Sequence, residues 1–417
     1  MKKIILVASV FSTMLLAQTL TLHESIEKTL KNHPDVKAFA LKVKQSHAGY
    51  NSAFADYLPQ INLSAQYNAM ETYVFPTNGS FHTLDDDGWN VGANLKQKVW
   101  DFSKTSAKVN ATKVDEKISE LSLDDIKALL AYKVKTFYEL MVVQKEAVAV
   151  RKKDIEAKQA YYEQSQALVK NGLKTEADAS RFLSAVYLAQ DNLAIAKTNY
   201  EKAKNSLSLY IGEPISSDVK LDESFNRSKN ISDIKIQKEI LETNKQLKIY
   251  TKNINKNELL HKSAKASHYG SIDLLASYQH INTLNEYDAK QVGIALNIPL
   301  YSGGRVSAQT QQAKIGTQIS KEQERSYELS LKEETSNLLL DIQRYSKTIQ
   351  AKKAQLDSAQ KTKKVLDGRY AEGLSTYLEV LDATSLVLNA RLGLLEAYYS
   401  RNISMYKIDY LKGKIYE

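Results

Sequence analysis

Two carboxylates in the segment GRYAEGLSTYLEVLDATS (368–385) are the side chains best placed to do chemistry. Glu379 and Asp382 lie three apart, so on a helix they share a face. Acids on one face attract cations and repel anions. The same acids near a helix N-terminus can also be solvated groups that favour the macrodipole. Gly373, just upstream, ends a long helical run by taking a left-handed conformation without a Cβ clash.

No enzymatic chemistry emerges elsewhere. The seven histidines (His23, His33, His47, His82, His261, His268, His280) show no metal-ligand spacing with acids. LYSGGR (300–305) has glycines but not the lysine–serine pattern of a phosphate loop. No serine sits in a nucleophile elbow. The 417 residues contain no cysteine, which excludes disulfides, thiolate metal sites, a cysteine nucleophile and a lipidated cysteine. Neither a cofactor nor a metal is expected, and the chain reads as a non-enzyme.

The start, MKKIILVASVFSTMLLA, has the charged, apolar and small-residue order of a secretory signal, so residues 1–17 are expected to be removed. Formal charge then falls from +9 to +7 with the loss of Lys2 and Lys3. The remaining lysines are interleaved with acids along helical segments, a solvated surface and not a nucleic-acid groove. No later stretch approaches the ~20 apolar residues of a membrane helix.

The elements that position the acids come in duplicate. VWDFSK (99–104) aligns with LYSGGR (300–305), and KNGLKTEAD (170–178) with AEGLSTYLE (371–379), both 201 residues apart. PQINLSAQY (59–67) aligns with GSIDLLASY (270–278) at 211, the extra residues falling near 72–88. Each repeat predicts a helix (22–56; 232–267), a strand pair, a long helix and a return helix (174–210; 375–411). Pro34 sits in the first turn of the opening helix or breaks it. Ile61, Leu63, Ala65 and Tyr67 alternate with polar residues, as do Trp89, Val91, Ala93 and Leu95; Val292, Ile294, Leu296 and Ile298 do likewise. The long helix from about 103 to 170 would extend about 100 Å and needs neighbours to hold it. The domain reading is a first repeat at 18–212, a connector at 213–240 and a second repeat at 241–417.

Four strands cannot close a barrel, and an open edge in lipid leaves backbone groups unpaired, so the strands either form a soluble sheet or meet copies from other chains. Tyr67, Tyr73, Trp89, Trp100, Tyr278, Tyr287 and Tyr301 lie in or beside the strands, as interfacial aromatic girdles would.

The duplication, YLPQINLSAQY, NIPLYSGGR and RYAEGLSTYLEVLDATS together resemble the TolC-type outer-membrane efflux channel family over the whole mature chain. The resemblance implies a mainly α fold with a small β part. Long coiled-coil helices would form a trimeric α-barrel, and four strands per chain would join a twelve-stranded membrane β-barrel. Implied partners are two further copies, a periplasmic adaptor, an inner-membrane transporter and outer-membrane lipid, with no nucleic acid. The implied function is the passive exit duct of a tripartite efflux pump. An outlet for type I protein secretion and a periplasmic coiled-coil scaffold without a pore are the alternatives. In the family reading Glu379 and Asp382 form carboxylate rings in the bore. Tyr370 and Asp178 are the matching turn tyrosine and acid, suited to a mutual hydrogen bond. Gly172, Leu173, Gly373, Leu374 and Ser375 form the helix-turn tips and adaptor-docking surface. Ser375 stands where the family has an arginine, so that ion pair is not available; Arg369 and Lys174 are the candidate substitutes, the alternative being a closed state held differently or less tightly.

Overall fold

A computed structural model describes residues 19–74, 82–216, 219–221, 233–282 and 286–416. The expected signal segment, the tip of the first hairpin and much of the connector lie outside the described residues. In chain order the elements are β1 (Thr19–Leu20), α1 (Leu22–Asn32), α2 (Pro34–Phe54), a short 3-10 turn (Ala55–Tyr57), β2 (Gln60–Val74), β3 (His82–Trp100), α3 (Lys104–Lys170) and α4 (Glu176–Ile211). The second half adds β4 (Lys220–Leu221), α5 (Asp233–Thr243), α6 (Lys245–Ala266), β5 (Ser271–Asn282), β6 (Glu286–Asn297), α7 (Arg305–Ala371) and α8 (Tyr377–Leu411). Both long helices have 67 residues.

The duplication persists in three dimensions. α3 and α7 begin at Lys104 and Arg305 and end at Lys170 and Ala371, the same 201-residue offset at both ends. The opening helix is broken in both repeats, at His33 and at Asn244, which lie 211 apart. Pro34 marks the first break and occupies the first turn of α2, where its missing N–H costs no hydrogen bond. At the second break the Asn244 amide donates to the Leu411 carbonyl at 2.9 Å, so a polar side chain fastens the interruption to the end of α8.

Two compact units divide the chain. One comprises residues 1–37, 124–245 and 330–417; the other 38–123 and 246–329. Each draws on both repeats. In the first unit, Leu20, Ile26, Val134, Met141, Leu207 and Leu221 share a core, with β1 and β4 pairing in parallel across it. The Tyr138 hydroxyl donates to the Leu20 carbonyl at 2.8 Å, anchoring the N-terminal strand on α3.

The second unit holds a four-stranded antiparallel sheet of order β2-β3-β5-β6. Its register places Ile61, Leu95, Ala276 and Val292 in one cross-strand row and Leu63, Ala93 and Tyr278 in another. Since alternate residues face opposite ways, Asn62, Asn94, Ser277 and Gln291 form a polar row on the other face. The apolar face is open: Leu63 and Val292 are each 79% exposed and Ile294 75%. Tyr67 and Trp89 pair across β2 and β3, while Trp100 ends β3 near Phe102 and Tyr269. The eleven residue steps from Trp89 to Trp100 span about 36 Å, or about 25 Å of depth at the strand tilt of a membrane barrel. Tyr287 pairs with Ile281, the face opposite Tyr67 and Trp89, so it does not join that girdle. The Tyr73 side chain lies outside the described residues. Among the described residues no helix is long and apolar enough to cross a membrane.

Candidate functional site: the paired helix turns

Both turns belong to the first unit and are built alike. α3 closes with Gly172 N–H to Val169 C=O and Leu173 N–H to Leu168 C=O, each 2.9 Å. α7 closes with Gly373 N–H to Tyr370 C=O at 3.0 Å and Leu374 N–H to Arg369 C=O at 2.8 Å. Gly172 and Gly373 have φ of 72° and 76°, which the reversal requires and other residues rarely adopt. Leu173 and Leu374 project from the turns, 63% and 64% exposed.

Each return helix then starts with a reciprocal cap. The Asp178 carboxylate accepts from Thr175 N–H and Oγ1–H at 3.1 and 3.0 Å, while Thr175 Oγ1 accepts from Asp178 N–H at 3.3 Å. The Glu379 carboxylate accepts from Thr376 N–H at 2.7 Å and Oγ1–H at 2.9 Å, and from Ser375 Oγ at 3.4 Å. The Thr376 backbone N–H and hydroxyl, with the Arg369 charge nearby, hold Glu379 below the ordinary carboxylate range. Asp382 is exposed one turn further along α8, with no hydrogen-bond or ion-pair partner among the described residues. Sequence spacing therefore pairs two acids with different duties: one closes a cap, the other is free.

The expected Tyr370–Asp178 hydrogen bond is not formed. Asp178 is engaged by Thr175, and the buried Tyr370 hydroxyl has no partner. Tyr370 is fully enclosed beside Phe182 and Tyr161, ring centroids 5.6 and 6.4 Å away. Burial, reinforced by the Asp178 charge, pushes its hydroxyl pKa up to about 12. Of the two cations considered in place of an arginine at 375, Lys174 bridges the turns: its Nζ donates to the Ser375 carbonyl at 3.1 Å and sits 5.8 Å from the Tyr370 ring. Arg369 stays within its own turn, donating to the Leu374 carbonyl at 3.3 Å.

A second link was not anticipated. On α3 the Tyr161 hydroxyl donates to Asp367 and accepts from Lys363, while Lys363 and Asp367 pair at 2.7 Å along α7. Burial and the Asp367 bond raise the Tyr161 pKa. Burial depresses Lys363, but Asp367 and Tyr161 outweigh it and leave its pKa raised. Lys363 and Asp367 at i and i+4 are readable as one helix-face pair; only the fold brings Tyr161 to them. Arg181, which occupies the place of Asp382 in the first repeat, lies 5.1 Å from the Tyr377 ring. It too connects the two return helices.

The chain is a duplicated arrangement of two helical hairpins and two strand pairs, with capped turns and an uncovered apolar sheet face. Its sequence matches the family described as outer membrane efflux protein over residues 25–213 and 236–413, and the chain belongs to that family. It is 26% identical over 400 residues to the probable outer membrane lipoprotein SilC of Salmonella typhimurium, covering 91% of this chain and 82% of that protein. It is 23% identical over 421 residues to outer membrane protein TolC of Escherichia coli strain K12, covering 96% and 84%. The crystal structure of the outer membrane protein VceC from Vibrio cholerae shares the fold, with a TM-score of 0.81 at 18% identity over 95% of this chain and 97% of that one. The protein is thus a TolC-like efflux channel of the outer membrane.

Proposed function

We propose that three copies assemble into one passive duct. Each supplies four strands to a twelve-stranded barrel, and the duct completes a tripartite pump with a periplasmic adaptor and an inner-membrane transporter. The observation that carries this reading is the open sheet. β2 and β6 are its outer strands, each with an unpaired edge, and its apolar face is uncovered. In lipid both edges must pair, and copies of the same chain offer matching edges. The repeats at 18–212 and 241–417, joined by 213–240, fit duplication of one hairpin-and-strand unit.

At the turns we assign Glu379 and Asp382 to charge selection, with Asp178 and Tyr370 beside them at the gate. Gly172, Leu173, Gly373, Leu374 and Ser375 form the tips that meet the adaptor, and the two exposed leucines supply its apolar contact. The closed turns are held by Lys174 against the Ser375 carbonyl and by the Tyr161–Lys363–Asp367 link. Opening requires these contacts to part as the helices repack between two discrete arrangements.

Planar-bilayer recording of the purified protein tests the reading. Wild type is expected to pass little current, and Tyr161→Phe combined with Lys174→Ala to raise the open fraction several-fold. A protein that never conducts, even with both contacts removed, is a scaffold and not a duct.

A further inference from the structure

A second site lies beside the Tyr161 link and is not needed for a passive duct. α3, α7 and α8 line an open crevice of about 360 Å³ in the first unit. That is the size of pockets that take small organic molecules.

Its charges do not balance. Asp154 is paired with Lys158 at 3.0 Å, and Asp367 with Lys363 at 2.7 Å. Each lining carboxylate thus has its own cation. Lys153, Lys364 and Arg391 also line the crevice, and none has a carboxylate within 4.0 Å among the described residues. Three uncompensated cations around a concave, partly apolar surface focus a positive potential into it. Val150, Ala157, Val387 and Leu388 add hydrocarbon to the same lining. A simple inorganic anion would use the charges and waste this hydrocarbon, whereas a neutral apolar molecule would leave the charges unanswered.

One further atom narrows the ligand. The Asp154 carboxylate is almost wholly enclosed, its side chain 2% exposed, yet its Oδ1 has no hydrogen-bond donor. A buried acceptor left unpaired is costly, and such orphans call for a partner. The three observations converge on a molecule with an anionic head, a compact apolar body and one O–H or N–H donor.

We propose that this crevice binds a small amphiphilic organic acid. Lys153, Lys364 and Arg391 receive its anionic head, Val150, Val387 and Leu388 its body, and Asp154 Oδ1 accepts its donor. The occupied site ties α3 to α7 and α8, so ligand binding and helix repacking share the same contacts.

Titration calorimetry on the purified, assembled full-length protein tests this, with 4-hydroxybenzoate as probe and benzoate and phenol as comparators. Saturable binding of one 4-hydroxybenzoate per chain is expected. Benzoate, lacking the donor, should bind several-fold more weakly, and phenol, lacking the charge, at least tenfold more weakly. Lys364→Gln with Arg391→Gln, both away from the turns and the core, should weaken 4-hydroxybenzoate at least tenfold while circular dichroism stays unchanged. Absence of saturable binding overturns the site, as does undiminished binding in the double variant or phenol binding as well as the acid. Equal affinity for benzoate and 4-hydroxybenzoate overturns the role of Asp154. The readout is heat of binding and not conductance, so its failure leaves the duct reading untouched.

Discussion

Glu379 and Asp382 look alike in the sequence, and the structure separates them. Glu379 is tied to Thr376 by a reciprocal cap, whereas Asp382 has no partner among the described residues. Asp382→Asn should therefore lower cation preference, read as a shift in bilayer reversal potential, and leave the turn intact. Glu379→Gln should lower selectivity and also increase hydrogen exchange in the first turn of α8. Equal effects on both readouts would refute the division of duties. The pH dependence has a definite sign. Glu379 titrates below its ordinary 4.5 in the folded protein, because the Thr376 N–H and hydroxyl favour its charged form. Its stabilisation of the cap is thus fully present above pH 4.5 and is lost as pH falls through the lowered folded value. In Asp382→Asn the residual cation preference should persist at pH 4.5 and vanish only on further acidification. Tyr370→Phe makes a complementary test. Removing a buried hydroxyl that has no partner lifts an uncompensated desolvation penalty and should raise stability by about 1–3 kcal/mol. A loss of stability would mean the hydroxyl is bonded to Asp178 after all. The sequence made these acids and the tyrosine visible through type and spacing. It could not reveal that Asp178 is consumed by Thr175, because a capping carboxylate and a latching carboxylate are the same residue until geometry chooses its donor.

The strand-to-helix junction is where the two repeats solve one problem differently. Phe102 and Ser103 both adopt left-handed backbone, with φ of 54° and 71°; Gly303 and Gly304, 201 residues later, have 60° and 79°. A left-handed position costs a non-glycine residue about 1–2 kcal/mol. Asp101 offsets part of this by accepting from Thr105 N–H at 2.9 Å and from the Thr105 hydroxyl. Ser103→Gly should relieve the strain and, after glycine's added chain entropy, stabilise the junction by about 0.5–1 kcal/mol. The Ala107 amide, bonded to the Ser103 carbonyl at 2.9 Å, is the reporter: its hydrogen exchange should slow. Faster exchange would mean that Ser103 contributes a side-chain contact worth more than its strain. Long helices and their glycine ends were legible because no proline interrupts either run and each stops at a glycine turn, Gly172 or Gly373. The breaks at His33 and Asn244 were less so; Pro34 flagged the first, but nothing local marks the second, which depends on Asn244 reaching the distant Leu411 carbonyl. β2 and β3 also run further than their alternation, to Val74 and from His82, because pairing with each other sustains them beyond the end of β5.

The whole protein poses a pairing problem that one chain cannot solve. β2 and β6 sit at opposite edges of the sheet with β3 and β5 between them. Three strand spacings separate them by about 14 Å, twice the ~7 Å Cα separation at which a disulfide becomes impossible. Cysteines placed on β2 and β6 of one chain therefore cannot join each other and can only join another copy. The natural sequence has no cysteine, so the background is clean. The outward residues Ile61, Leu63 and Ala65 on β2, each combined with Val292, Ile294 or Leu296 on β6, provide a panel that covers the unknown register between copies. All six alternate on the apolar face, so each pairing that aligns will bring sulfurs together on the lipid side. Oxidation in outer membranes should give, for at least one combination, a ladder of one, two and three chains on denaturing gels, with nothing larger. A cyclic trimer closes on itself: after the third bond no free edge remains. A ladder continuing past three chains would indicate an open filament of sheets, and one stopping at two a symmetric dimer. Either would overturn the twelve-stranded barrel while leaving membership of the efflux family intact.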